Sequence, residues 1–126
     1  MKDYKIMIVD DDPDANFNLK AVLENSGFKV IFYYDGESAL EELKEEKPDM
    51  VLLDVMMPGM SGYDVCETIK NDPETSHIPV IMLTAKDTGD DVEMALKKKA
   101  DWFVAKPYDN KYLLGKINQF IAKKGK

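Results

Sequence analysis

Apolar residues in this chain fall into short runs separated by amphipathic stretches. Five runs, rich in Val, Ile, Leu, Met and aromatic residues, predict strands at 5–9, 29–33, 50–54, 79–83 and 102–105. Runs this short and this apolar are typical of strands that are covered on both faces of a parallel sheet. Amphipathic stretches at helical spacing follow them, so the chain is predicted to alternate strands and helices.

The helices have recognisable start and stop signals. The predicted helices cover about 13–26, 37–47, 61–71, 90–98 and the chain from 110 onwards. Asp12 precedes Pro13 as a cap before a first-turn proline, and Ser61 with Asp64 forms a capping-box signature. The alternation predicts an α/β fold, a doubly wound five-stranded parallel sheet with five helices and right-handed crossovers. One domain is predicted over 1–126, because no linker, repeat or low-complexity segment interrupts it.

The length, net charge and cysteine content of the chain limit the functions that it could have. A chain of 126 residues can bury a real core, and its net charge of -7 disfavours nucleic acid or an anionic membrane as the main partner. The single cysteine excludes an internal disulfide and favours a cytoplasmic location. No apolar run approaches the roughly 18 residues of a membrane span, and Asp10 comes too early for a signal-peptide core. The lysines are interpreted as solvated helix faces, namely 97–99, 116, 123, 124 and 126.

Acidic residues stand where two of the predicted strands end. Asp10 and Asp11 follow the first strand, and Asp54 ends the third. If these strands are neighbours, their carboxyl ends open onto one crevice, where open α/β sheets bind ligands. Two carboxylates about 4 Å apart repel by roughly 4 kcal/mol at an effective dielectric constant near 20. Such a group is tolerated only with a cation or a proton, and a hard divalent ion, most simply Mg²⁺, is predicted.

Two more polar residues stand at strand ends. Thr84, followed by Ala85, ends the fourth strand, and Lys106, followed by Pro107, ends the fifth. With the aspartates they could bind a metal-associated phosphoryl group, because cations offset its charge and a hydroxyl bonds its oxygens. Singly, each residue also has a structural interpretation, as a cap, a strand residue or a solvated lysine. Their joint placement at four strand ends favours a site, and the lack of a nucleotide loop means that another molecule must supply the phosphoryl group.

Four segments resemble those of a known family in sequence and order. The segments 8–13 (IVDDDP), 53–62 (LDVMMPGMSG), 84–85 (TA) and 106–107 (KP) resemble the receiver domain of two-component response regulators, of the single-domain chemotaxis type. The resemblance implies a flavodoxin-like fold with strand order 2-1-3-4-5. It also implies a cytoplasmic phosphoprotein that acts in phosphorelay signal transduction.

The resemblance further implies roles at the acidic site. Asp54 matches the aspartate that receives a phosphoryl group from a sensor histidine kinase or a histidine phosphotransfer protein. Asp11 matches the direct ligand of Mg²⁺ (or Mn²⁺), and Asp10 the residue that holds metal-bound water. Met56 would lend only its backbone carbonyl to the metal.

The resemblance also implies how the signal leaves the site. Thr84 and Lys106 match residues that bond the phosphoryl oxygens, with Ala85 beside them. Phe103 matches an aromatic residue that changes rotamer as Thr84 moves inward. This change would switch the output face, which we define as the surface of the fourth helix, fifth strand and fifth helix. A cis peptide bond before Pro107 is also implied.

Two positions depart from the family pattern. Lys99 stands where glycine is usual at the end of the fourth helix, and a left-handed cap is costly for a residue with a Cβ. Trp102 stands where smaller or polar residues are usual, and strand alternation points it away from Phe103. Two interpretations of Trp102 stay open, local packing and an exposed anchor for a partner.

Three functions compete. The leading prediction is a phosphoacceptor switch that is not a turnover enzyme, with an effector at the output face, and a monomer or phosphorylation-dependent dimer. The alternative is a Mg²⁺-dependent aspartyl-phosphate phosphohydrolase, which normally needs a second Asp where Met56 stands. A flavin carrier would need a Gly/Ser/Thr-rich phosphate loop after the first strand, where this chain has three aspartates.

Overall fold

A five-stranded parallel sheet forms the centre of the protein. The computed structural model describes residues 4–84 and 99–124. The strands pair in the order β2-β1-β3-β4-β5, as the family resemblance implied. They are β1 (Lys5–Val9), β2 (Lys29–Tyr33), β3 (Met50–Asp54), β4 (Val80–Thr84) and β5 (Trp102–Ala105).

Four of the five predicted helices lie in the described part of the chain. They are α1 (Pro13–Asn25), α2 (Gly36–Glu46), α3 (Gly62–Asn71) and a C-terminal helix (Asn110–Lys124). The predicted helix at 90–98 lies outside the described residues, as does Ala85. None of the helices within 4–84 and 99–124 is long and apolar enough to cross a membrane.

The core forms two apolar layers, one on each face of the sheet. Alternate residues of β1 enter different layers: Met7 and Val9 face one side, and Ile6 and Ile8 the other. The first layer is completed by α2 and α3, and the second by α1 and the C-terminal helix. Because β3 is buried along its whole length, its last residue, Asp54, ends inside the protein rather than at its surface.

Polar side chains cap the amino ends of α1, α2 and α3. Asp12 caps α1 by accepting a hydrogen bond from the Asp14 amide, and Ser61 with Asp64 forms the predicted capping box of α3. The predicted start of α2 at residue 37 was late by one residue. Asp35 is the cap there, because its Oδ1 accepts a hydrogen bond from the Ser38 amide at 2.7 Å, and the helix begins at Gly36.

Lys99 adopts the left-handed conformation, although it has a Cβ. Its φ is +67°, and its Nζ donates a hydrogen bond to Asn71 Oδ1 at 3.2 Å, which ties this turn to the end of α3. Lys99 therefore adopts the backbone conformation that usually favours glycine.

A partly exposed ion pair joins the end of α3 to the residue before β5. Lys70 Nζ lies 2.6 Å from Asp101 Oδ2 and donates hydrogen bonds to the carbonyls of Ser76 and Ile78. Asp101 Oδ2 also accepts a hydrogen bond from the Val80 amide at 2.7 Å. We call this group the amino-edge clasp, because it lies at the amino ends of β4 and β5.

Candidate functional site

Strand register brings the predicted site residues to one edge of the sheet. Val9 of β1 pairs with Leu53 of β3, so Asp10 and Asp54 follow at neighbouring positions. On the other side, Thr84 of β4 pairs with Ala105 of β5, the residue before Lys106. The carboxyl ends of four strands thus deliver the predicted residues to one place.

The three aspartates converge as predicted. One carboxylate oxygen from each of Asp10, Asp11 and Asp54 lies within 4.8 Å of the others. Asp10 and Asp54 are buried, with 4% and 7% of their surface exposed, whereas Asp11 faces solvent. Three hard oxygen donors, one of them open to solvent, are a donor set that suits Mg²⁺.

Lys106 supplies the positive charge of the site. Its Nζ lies 3.1 Å from Asp10 Oδ2 and 3.5 Å from Asp54 Oδ1. Burial lowers the pKa of this ammonium, but the carboxylates of Asp54 and Asp10 outweigh that effect, so its pKa lies above the ordinary value. The peptide bond from Lys106 to Pro107 is cis.

The carboxyl group of Asp54 has a raised pKa. Its pKa is raised from 3.8 to about 6: burial is the largest cause, the negative charge of Asp10 acts in the same direction, and Lys106 acts against both. A cation that binds beside Asp54 would favour its ionised form, which is the nucleophilic one. The carboxyl group is therefore sensitive to the charges around it.

Asp10 is held by contacts on its main chain and its side chain. Its Oδ1 accepts a hydrogen bond from the Asp12 amide at 3.0 Å, and Lys106 occupies Oδ2. Its carbonyl oxygen accepts a buried hydrogen bond from Asn16 Nδ2 at 2.8 Å. Sequence reasoning missed Asn16, although its helical spacing from Leu19 and Leu23 places it on the buried face of α1.

Gly62 lies directly against the backbone that carries Asp54. Its amide donates a hydrogen bond to the Val55 carbonyl at 3.0 Å. A Cβ at this position would overlap the carbonyl oxygen of Asp54 and come within 2.8 Å of Val55 Cα. Sequence reasoning included this glycine in a motif without recognising that α3 must approach β3 so closely.

The proposed switch residues occupy different environments. Thr84 is fully buried at the end of β4, and Phe103 is partly buried against the apolar layer of α2 and α3. The Met56 side chain is 57% exposed. Met56 lies two residues after the end of β3 and belongs to neither apolar layer.

Trp102 combines the two interpretations that the sequence left open. Its ring is 40% exposed, yet its Nε1 donates a hydrogen bond to the Tyr112 hydroxyl at 3.3 Å. Lys116 Nζ lies 4.2 Å from the centre of the Trp102 ring, which is cation–π geometry. The indole packs on the C-terminal helix and still presents a face to solvent.

Comparisons with known proteins give a consistent result. Residues 6–118 match the family model described as the response regulator receiver domain. The protein named DNA-binding response regulator MtrA from Mycolicibacterium smegmatis is 42% identical over 113 residues, which is 90% of this chain and 48% of MtrA. The chain thus spans about half the length of this curated relative.

Two further similarities cover nearly the whole length of both chains. Protein PilH from Pseudomonas aeruginosa is 38% identical over 118 residues, which is 94% of this chain and 98% of PilH. The crystal structure of a putative response regulator from Chloroflexus aurantiacus is 30% identical and superposes with a TM-score of 0.92, over 96% of this chain and 99% of that one.

Proposed function

The chain belongs to the response regulator receiver domain family, and we propose that it accepts a phosphoryl group on Asp54 in a Mg²⁺-dependent reaction and switches its output face in response. The donor is the phosphorylated histidine of a sensor histidine kinase or of a histidine phosphotransfer protein. The observation that carries the proposal is the convergence of the Asp10, Asp11 and Asp54 carboxylates beside Lys106. No nucleotide loop or second catalytic acid accompanies them in the sequence, so the chain acts as a switch.

The transfer itself is a displacement at phosphorus. An oxygen of Asp54 forms a bond to phosphorus while the bond from phosphorus to the donor histidine nitrogen breaks, and the electron pair of that bond stays on the nitrogen. Asp10, Asp11, Asp54 and the carbonyl of Met56 would hold the metal ion. When bound, Mg²⁺ or Mn²⁺ offsets the negative charge that the carboxylates and phosphoryl oxygens bring together.

Lys106 serves the site before and after transfer. Before transfer its ammonium neutralises part of the charge of Asp10 and Asp54, which keeps the acceptor closer to its ionised form. After transfer it can bond a phosphoryl oxygen while its contact with Asp10 holds it in place. The shorter contact with Asp10 keeps the ammonium at the site while its partner at Asp54 changes.

The output step begins with added charge. The acyl phosphate on Asp54 carries about -1.5 to -2 charges in place of the single charge of the carboxylate, and it brings strong acceptor oxygens. The Thr84 hydroxyl and the neighbouring Ala85 would bond these oxygens, and Phe103 would fill the space that Thr84 leaves. Phe103 and Trp102 are adjacent on β5, so this change would reach the Trp102 ring, which we propose as an anchor for an effector. The net charge of -7 favours a protein effector over nucleic acid or membrane.

Labelling of Asp54 tests the proposal. Acetyl phosphate with Mg²⁺ should phosphorylate the wild-type protein once, and peptide mass spectrometry should place the group on Asp54. Asp54→Asn should abolish labelling, whereas the matched variant Asp14→Asn, which changes an exposed carboxylate of α1, should label normally. Full labelling of Asp54→Asn, or undiminished labelling in EDTA, would contradict the proposal.

Turnover separates the switch from the phosphohydrolase alternative. An aspartyl-phosphate phosphohydrolase should release phosphate from small phosphoesters over many cycles. The residue two positions after Asp54 is Met56, whose thioether cannot act as a general acid. We therefore expect no sustained phosphate release from such substrates in a steady-state assay with Mg²⁺.

A further inference from the structure

Asn16 is a buried polar residue on a helix face that is otherwise apolar. It has 0% exposed surface, and it shares the inner face of α1 with Leu19 and Leu23. Its Nδ2 donates a hydrogen bond to the main-chain oxygen of Asp10 at 2.8 Å. Its backbone amide also bonds the Asp12 carbonyl at 3.1 Å, so this single residue contacts both ends of the turn that contains Asp11.

The carboxamide of Asn16 is only half satisfied. Its Oδ1 is buried and has no hydrogen-bond partner among the residues that the structure describes. An unpaired buried acceptor is unfavourable, and a leucine of similar size would pack on this helix face without that penalty. Core stability therefore does not explain an asparagine here, whereas its bond to Asp10 does.

We propose that Asn16 is a positioning residue for the acidic site. It fixes the Asp10 carbonyl, while the Asp12 amide fixes Asp10 Oδ1, so the turn is held from its main chain and from its side chain. The Asp11 carboxylate is exposed, and the main chain of this turn decides where it points. This inference rests on the proposed function, because the geometry that Asn16 maintains is that of the Mg²⁺ ligands.

The test replaces Asn16 with an apolar residue of similar size. Asn16→Leu removes the donor to Asp10 together with the unpaired oxygen, so the two effects on metal-free stability oppose each other. We expect its urea midpoint in EDTA to stay close to that of the wild type. Its affinity for Mg²⁺, measured by calorimetry, should fall roughly 10- to 100-fold, the usual effect of losing a group that orients metal ligands. Asn18→Leu is the matched control, since it makes the same change on the exposed face of α1.

A measurement on the wild-type protein covers the case in which Asn16→Leu does not fold. By NMR, a side-chain amide proton of Asn16 should exchange with solvent more slowly than those of Asn18, and its resonance should shift when Mg²⁺ is added. Equal exchange at the two asparagines, or no shift at Asn16, would overturn the role of Asn16.

The outcomes for Asn16 and for the site are distinguishable. A folded Asn16→Leu that binds Mg²⁺ as tightly as the wild type overturns only the positioning role. A parallel loss of Mg²⁺ affinity and of metal-free stability in that variant shows a general structural role and also overturns it. A wild-type protein that does not bind Mg²⁺ overturns the proposed function and this inference with it.

Discussion

The ammonium of Lys106 lies 3.1 Å from the carboxylate of Asp10. This contact is shorter than the contact between Lys106 and Asp54, the proposed acceptor. The only cation in the described part of the site therefore lies nearer to Asp10 than to the acceptor. The ammonium contacts Asp10 and Asp54, and the carboxylate of Asp11 lies beside them, so negative charge is left in excess when all three are ionised. Burial is the largest cause of the raised pKa of Asp54, and the carboxylates of Asp10 and Asp11 raise it further against the effect of Lys106.

The metal-free protein should lose stability as pH rises. Asp54 has a pKa of about 6 when folded and about 3.8 when unfolded, so between these values the native state retains a proton that the unfolded chain has released. Its contribution is largest below pH 3.8 and is lost as pH rises through 6, and a shift of this size corresponds to about 3 kcal/mol. Urea unfolding in EDTA from pH 4 to 7.5 measures it.

The Asp54→Asn variant isolates this contribution from other titrating groups. Asp10, Asp11 and Lys106 face Asp54 and remain in the variant. The difference in unfolding free energy between wild type and variant should therefore change with pH in the window around 4 to 6. A difference that is constant with pH would show that the folded protein does not perturb Asp54.

Mg²⁺ should stabilise the fold through the same residues. A ligand that binds only the native state adds about 2.7 kcal/mol at a hundredfold excess over its dissociation constant. Thermal unfolding with increasing Mg²⁺ should therefore show a rising midpoint for the wild type and for the control Asp14→Asn. Asp11→Asn should remove most of the rise, and it should also stabilise the metal-free protein because one repelling charge is gone. A midpoint that does not respond to Mg²⁺ in the wild type would argue against a metal site.

Much of the fold could be predicted from sequence because its signals are local. The bounds of β1, β2, β3 and β5 are those that the apolar runs predicted. The central strands β1 and β3 are buried almost throughout, whereas the edge strands β2 and β5 are mostly half-buried and are still marked by their apolar residues. β4 begins and ends one residue later than predicted, because Thr84 continues the ladder opposite Ala105. The starts of α1 and α3 were predicted from their caps, Asp12 and Ser61. The start of α2 was predicted one residue late because Asp35 was not recognised as its cap.

The details of the site were harder to predict because they depend on contacts between distant parts of the chain. Lys106 and Asp10 are 96 positions apart, and no sequence pattern ranks Asp10 above Asp54 as the nearer partner of the lysine. Gly62 is required by the approach of α3 to β3, which is a property of packing. Asn16 was different, because its place on the apolar face of α1 was visible in the helical spacing.

Substitution of Gly62 should damage both the fold and the site. The added methyl group of Gly62→Ala would overlap the Asp54 carbonyl, so either α3 or the end of β3 must move. Overpacking of this kind typically costs about 1–3 kcal/mol, and it should also weaken Mg²⁺ binding because Asp54 is displaced. Gly115→Ala is the control: a Cβ there meets nothing within 4 Å, and alanine should stabilise the C-terminal helix by about 0.5–1 kcal/mol. Equal stability changes in the two variants would contradict the close approach at Gly62.

Trp102 fluorescence should report the switch. Beryllofluoride with Mg²⁺ mimics the phosphorylated acceptor, and we expect it to change the indole emission because Trp102 contacts Tyr112 and Lys116. Lys106→Ala should keep the domain folded but reduce this change, since the phosphoryl analogue loses its partner on the segment that follows β5. Lys29→Ala, an exposed lysine on β2, should respond like the wild type. A response of equal size in Lys106→Ala would contradict the coupling role of Lys106.

The amino-edge clasp determines how β5 can move. Asp101 immediately precedes this four-residue strand and is held by Lys70 and by the Val80 amide, while Lys106 follows its other end. The strand is therefore held in place at its amino end, whereas its carboxyl end leads directly to Lys106. We therefore expect a force on Lys106 to rotate side chains near the carboxyl end of β5 rather than to slide the strand along β4. If the proposed switch operates, the clasp would favour a change of shape at Phe103 and Trp102 over a change of register between β4 and β5.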